Sequence, residues 1–155
     1  MKKIILMFGL VLLFSCSNNE SVNDGNNSNT VSGAFTVNYE IFANSIISSP
    51  GSGVIISYTN GSGQLQTDSF SGLMDWNKTI NVTSNERPLT MNLSIKSSGA
   101  KGYLTVREIG TLTQSIYING SLKASNINTS SSKGSASGNI LIYRIASSPI
   151  NYVVK

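Results

Sequence analysis

Phe35, Val37, Tyr39 and Ile41 fall on one face of an extended segment, while Thr36, Asn38 and Glu40 fall on the other. A period of two is the mark of a strand with one face buried and one face wet. The alternation recurs at Val54, Ile56 and Tyr58, at Trp76, Lys78, Ile80 and Val82, and at Leu89, Met91, Leu93 and Ile95. It returns at Leu104 and Val106, at Ile116 and Ile118, and at Ile140 and Ile142 with Leu141 and Tyr143 opposite. No window of comparable length in this part of the chain repeats at the helical period of about 3.6 residues.

Turn chemistry separates these runs. Asn60-Gly61-Ser62-Gly63 divides two of them, and Asn119-Gly120 divides SIYI from SLKAS; Asn-Gly supplies the positive φ angles of a two-residue hairpin turn. Pro50-Gly51, Glu86-Arg87-Pro88 and Ser98-Gly99 mark other breaks. Seven or eight short strands at spacings of about ten residues predict an all-β domain, an antiparallel β-sandwich over residues 34–155.

The first residues follow a different pattern. Lys2 and Lys3 precede an apolar run over residues 4–14, and small Ser15 stands before Cys16, the only cysteine of the chain. This is the layout of a secretory signal peptide, residues 1–15. The apolar run is too short for a membrane span, which needs about 20 residues to cross about 30 Å of hydrocarbon. Leu13, Phe14, Ser15 and Cys16 resemble the bacterial lipobox, and that resemblance implies that Cys16 becomes the lipidated mature N-terminus. Two or three acyl chains, at about 0.8 kcal/mol per buried methylene, would hold it stably in a membrane. Residues 16–33 are dense in Asn, Ser and Gly and almost free of apolar side chains; they predict a flexible tether. By resemblance to lipoprotein sorting signals, Ser17 in place of an aspartate favours the outer membrane of the bacterial cell envelope.

Charge narrows the partners. The formal net charge is +4, and loss of Lys2 and Lys3 leaves nine bases against seven acids, or +2. The bases are scattered singly, without the Lys/Arg run that tracks phosphates, so no nucleic-acid partner is expected. The chain contains no histidine, which removes triads, histidine-ligated zinc and imidazole acid-base relays. Acylation of Cys16 would remove the last conventional nucleophile. The dispersed carboxylates Glu40, Asp68, Asp75, Glu86 and Glu108 suit solvated strand faces and turns better than a glycosidase pair. Asp68, Asp75 and Asn77 lack the spacing of a calcium loop. The expectation is therefore a protein with no cofactor, no metal site and no enzymatic activity.

Trp76, the only tryptophan, is expected to anchor the core between the sheets. Alternatively it forms a ligand platform with Tyr58 or Tyr103. The succession YEIFANS, GVIISYTNGSGQLQTDSF, MDWNKTINV and LTMNLSIKSSGAKGYLTVREI resembles the soluble domain of MmpS-type membrane-anchored transport accessory proteins. The resemblance spans about residues 37–118. It implies an immunoglobulin-like sandwich and a non-enzymatic transport-accessory or binding role in the envelope, with an envelope protein or a glycan as partner. The competing expectation is a surface carbohydrate-binding or adhesive module. Burial of Trp76 beside a long unpaired edge strand would favour a protein partner joined by strand addition, whereas an exposed aromatic platform would favour sugar.

Overall fold

The computed structural model describes residues 33–49, 52–83, 85–100, 102–130, 132–133 and 143–155. The signal peptide, Cys16, nearly all of the tether, Pro50-Gly51 and the start of the expected strand at 140–142 lie outside the described residues. Among the described residues eleven strands are present: β1 (Phe35–Ser48), β2 (Val54–Thr59), β3 (Leu65–Phe70), β4 (Gly72–Val82), β5 (Leu89–Ser97), β6 (Leu104–Val106), β7 (Thr111–Ile118), β8 (Ser121–Thr129), β9 (Ser132–Lys133), β10 (Tyr143–Ile145) and β11 (Ile150–Val154). They form a β-sandwich of two antiparallel sheets, and no helix occurs among the described residues. The seven-stranded sheet runs β8-β7-β1-β6-β10-β9 with β4 also on β1, and the four-stranded sheet runs β11-β5-β2-β3.

The first four strands are one long hairpin folded over a corner. β1 pairs with β4, and β2 pairs with β3, but the two pairs belong to opposite sheets. The chain passes from one sheet to the other between β1 and β2 on one arm and at Ser71 on the other. The corner is crowded: a Cβ at Gly53 would stand 2.7 Å from the Phe70 carbonyl oxygen. At the tip, Asn60 Oδ1 accepts the Ser62 and Gln64 amides at 2.9 Å each, and Gly63 takes φ of 79°. The tip returns to β4, where a Cβ at Gly61 would lie 2.5 Å from the Asn81 carbonyl oxygen. Glycine is the residue that permits such close backbone approach.

The alternation read from the sequence sets the core. Phe35, Val37, Tyr39, Ile41, Val54, Ile56, Tyr58, Met91, Leu93, Ile95, Leu104, Val106, Ile116 and Ile118 are all buried. The Asn119-Gly120 hairpin also forms as expected, with φ of 48° and 77°. Asn119 extends the ladder: its amide donates to Thr36 O at 3.0 Å and its Oδ1 accepts the Thr36 amide at 2.9 Å. Beyond the seven or eight strands expected, the structure adds β3, β9 and β11. β3 (LQTDSF) has no alternating apolar face because it is a sheet edge, paired only with β2.

Candidate functional site

Three aromatic rings run from the core to the β3/β4 rim. Tyr39 is fully buried on β1; its hydroxyl donates to Thr59 O at 2.8 Å and meets Met91 Sδ at 3.3 Å. Burial pushes this phenol well above the ordinary tyrosine range, with the hydrogen bond to Thr59 opposing the shift only in part. Tyr58 on β2 lies 5.8 Å from Tyr39, centroid to centroid, and 5.4 Å from Trp76, with interplanar angles of 50° and 49°. Such tilted pairs set ring edges against faces, a favourable arrangement of the π quadrupoles.

Trp76 ends the series and is half-buried. Its indole N–H donates to Asp68 Oδ2 at 3.3 Å. Tyr58 Oη donates to Gln66 Oε1 at 3.4 Å, and Lys78 Nζ stands 5.7 Å from the Tyr58 ring centroid. The register explains the grouping. Trp76 and Lys78 oppose the inward-facing Ile41 and Tyr39, while Asp68 and Gln66 oppose the inward-facing Ile56 and Tyr58. All four side chains therefore face the space between the two sheet rims. Lys78, a charge on the inner face of an edge strand, is a recognised device against unspecific edge pairing.

Trp76 thus packs on the core but does not sit at its centre, and Tyr58, 2% exposed, underlies it without extending a platform. Tyr103 is separate from both. It lies before β6, under the Arg144 guanidinium at 4.3 Å, and lines a cleft with Ser97. Ser97 pairs with Val54, four residues along β2 from Tyr58, or about 13 Å at the rise of an extended strand.

The free edge of β4 follows from the bonding pattern on β1. Thr36 exchanges its peptide groups with Asn119 on the β7 side. Alternation then turns the peptides of Phe35, Val37, Tyr39 and Ile41 towards β4, where they meet Val82, Ile80, Lys78 and Trp76. The peptide N–H and C=O groups of Asp75, Asn77 and Thr79 consequently face away from the sheet; those of Asn81 do so too, but the Gly61 tip lies over its carbonyl. Among the described residues no strand pairs with that edge, and the strand is 11 residues long.

Of the five carboxylates in the domain, Asp68 faces the inter-sheet rim. Glu40 and Asp75 occupy the outer face of the large sheet, opposite Asn77 and Phe42 respectively. Glu86 precedes the Arg87-Pro88 peptide, and Glu108 lies between β6 and β7. Among the described residues no group of acids, cysteines or histidines could hold a metal ion. No protein-family model matches the chain, and no curated protein matches it. Asp68, which bonds to Trp76, and Gln66, which bonds to Tyr58, were not legible as partners in the sequence because β3 has no apolar periodicity. The available signal was the Asn60-Gly63 turn, whose register sets Gln66 opposite Tyr58 and Asp68 opposite Ile56.

Proposed function

We propose that this chain is a lipid-anchored, non-enzymatic module of the bacterial cell envelope, carried on Cys16, that engages an envelope protein by strand addition in a transport-accessory role. The observation that supports this reading is the outer edge of β4. It presents the peptide groups of Asp75, Asn77 and Thr79 in a row, with no strand paired to them among the described residues, up to Asn81, where the Gly61 tip covers the carbonyl. An extended segment added there would gain main-chain hydrogen bonds, with side-chain specificity supplied by alternate positions. Trp76 and its bond to Asp68 hold the rim of β4 in place beside the second sheet. The anchor and the outer-membrane location rest on the leader sequence and on Ser17. A glycan platform is less favoured, since Tyr58 is buried under Trp76 and Tyr103 stands apart under Arg144.

The test is a photo-crosslinking amino acid placed at Asp75 or Thr79 in the full-length chain in its native cells. The reading predicts a discrete adduct from both positions and none from Ser125, on the far side of the same sheet. Equal labelling from Ser125, or no adduct from the β4 positions, contradicts it.

A further inference from the structure

The cleft beside Tyr103 lies at the opposite end of β2 from the Trp76 rim and has a chemistry of its own. Its volume is about 410 Å³, within the range of pockets that hold small molecules. One wall is the end of β5. Ser98 donates its amide to Gly53 O at 2.9 Å, so Ser98, Lys96 and Ser94 direct their peptide groups towards β2. Ile95 and Ser97 direct theirs the other way. On that side β11 accompanies β5 only as far as Leu93, which opposes Ile150. The peptides of Ile95 and Ser97 therefore face the cleft as a short stretch of sheet edge without a paired strand among the described residues.

The opposite wall comes from the large sheet, through Tyr103, Leu104 and Arg144 to Ser147. Arg144 lays its guanidinium over the Tyr103 ring with Cζ 4.3 Å from the centroid. Stacking occupies the face of the guanidinium and leaves its in-plane N–H fork directed outward, the geometry that grips a planar carboxylate or a phosphate. Lys96 lines the cleft from β5 with its exposed side chain on the face opposite buried Ile95 and Ser97, and no acid is among the described residues lining the cleft.

We propose that this cleft binds a small organic anion. The anionic group is held by the Arg144 fork, and the body of the ligand bonds to the Ile95 and Ser97 peptides. The stacked Arg144 and Tyr103 pair is the anchor, since Tyr103 fixes the plane in which the guanidinium donors lie. The site is independent of the β4 edge, so either can fail alone.

Calorimetric titration of residues 17–155 with trigalacturonate, glucose 6-phosphate and neutral glucose tests the proposal. At low salt, at least one of the two anions should bind with Kd below about 1 mM, and glucose should not. Binding of trigalacturonate alone assigns a carboxylate ligand, and binding of glucose 6-phosphate alone assigns a phosphate. Arg144→Gln should weaken the binding by about tenfold or more, the loss expected of a bidentate charge-assisted pair, and Arg144→Lys should restore only part of it. Arg144 is exposed, so the variants should keep the parent circular dichroism and thermal midpoint; Tyr103→Leu, which removes the stacking ring, gives a second route to the same loss. Failure of both anions to bind better than glucose overturns the proposal. So does an Arg144→Gln protein that binds as the parent does.

Discussion

Trp76 on β4 donates its indole N–H to Asp68 on β3 across 3.3 Å, so one side-chain bond joins the rims of two sheets that share no ladder there. The bond is made possible by the folded hairpin, which brings residues eight apart in sequence to facing edges. Truncation of Trp76 to Ala should lower stability by about 2–3 kcal/mol, less than for a fully buried aromatic, because the ring is half-buried. Trp76→Phe keeps the packing on Tyr58 but leaves the Asp68 carboxylate without its donor, and should cost about 1 kcal/mol. Urea denaturation of the two variants against the parent measures both values.

Tyr39 predicts an alkaline limit on stability. Its phenol is held neutral by burial, with a pKa raised above the unfolded value of about 10. Between the unfolded and folded pKa values the native state holds more protons than the unfolded chain. Stability is thus fully present below pH of about 10 and falls as pH rises above it. Tyr39→Phe removes the hydrogen bond to Thr59 O and should cost about 1–2 kcal/mol at neutral pH. The same variant should flatten the alkaline decline, which paired urea titrations at pH about 8 and 11, either side of the tyrosine range, would register.

The hairpin corner and tip should be intolerant of a methyl group. Gly53 and Gly61 leave only 2.7 and 2.5 Å between a would-be Cβ and a carbonyl oxygen of Phe70 or Asn81. Backbone must shift to admit alanine, so each Gly→Ala change should destabilise by about 1–3 kcal/mol. At Gly102, where nothing lies within 4 Å but φ is 67°, the cost of alanine comes from conformation alone and should be about 1 kcal/mol. Thermal melts of the three variants separate steric from conformational cost.

The leader carries its own prediction. Cys16→Ala should abolish palmitate incorporation and release the protein from the membrane fraction. If residues 17–30 are the tether that their composition suggests, deleting them should leave the thermal midpoint within about 2 °C of the parent. A large drop would mean that these residues pack on the sandwich.

How much of this could be read from the chain depended on which faces were buried on one side only. β1 and β5 alternate because one face meets the core, so Phe35 to Ile41 and Leu89 to Ile95 were legible; on β2 the run Val54, Ile56, Tyr58 was legible too, although Ser57 and Thr59 of its other face are also buried. The Asn119-Gly120 turn was legible because its dihedral requirement is local. β3 was not, because an edge strand that covers little core keeps Gln66, Thr67 and Ser69 polar. β8 inverts the usual rule: Leu122 and Ile127 are exposed, while Asn126 faces the core side opposite buried Gln114. The Trp76 site was half legible. Its core contact follows from alternation, but its partners Asp68 and Tyr58 follow from the corner at Ser71, which no pattern of apolar residues encodes. Tyr103 could be named as an aromatic, but its pairing with Arg144, 41 positions later, depends on the antiparallel β6/β10 ladder.

The most direct test of the strand-addition account is Asn77→Pro, because the Asn77 amide points to the open edge of β4 and serves no bond to β1. Proline is tolerated at such edge positions, and the substitution should change stability by no more than about 1 kcal/mol. With the photo-crosslinker at Thr79, the account predicts that the adduct formed by the parent and by Asn77→Ala disappears in Asn77→Pro. An adduct that survives the proline in a protein of unchanged stability would contradict it.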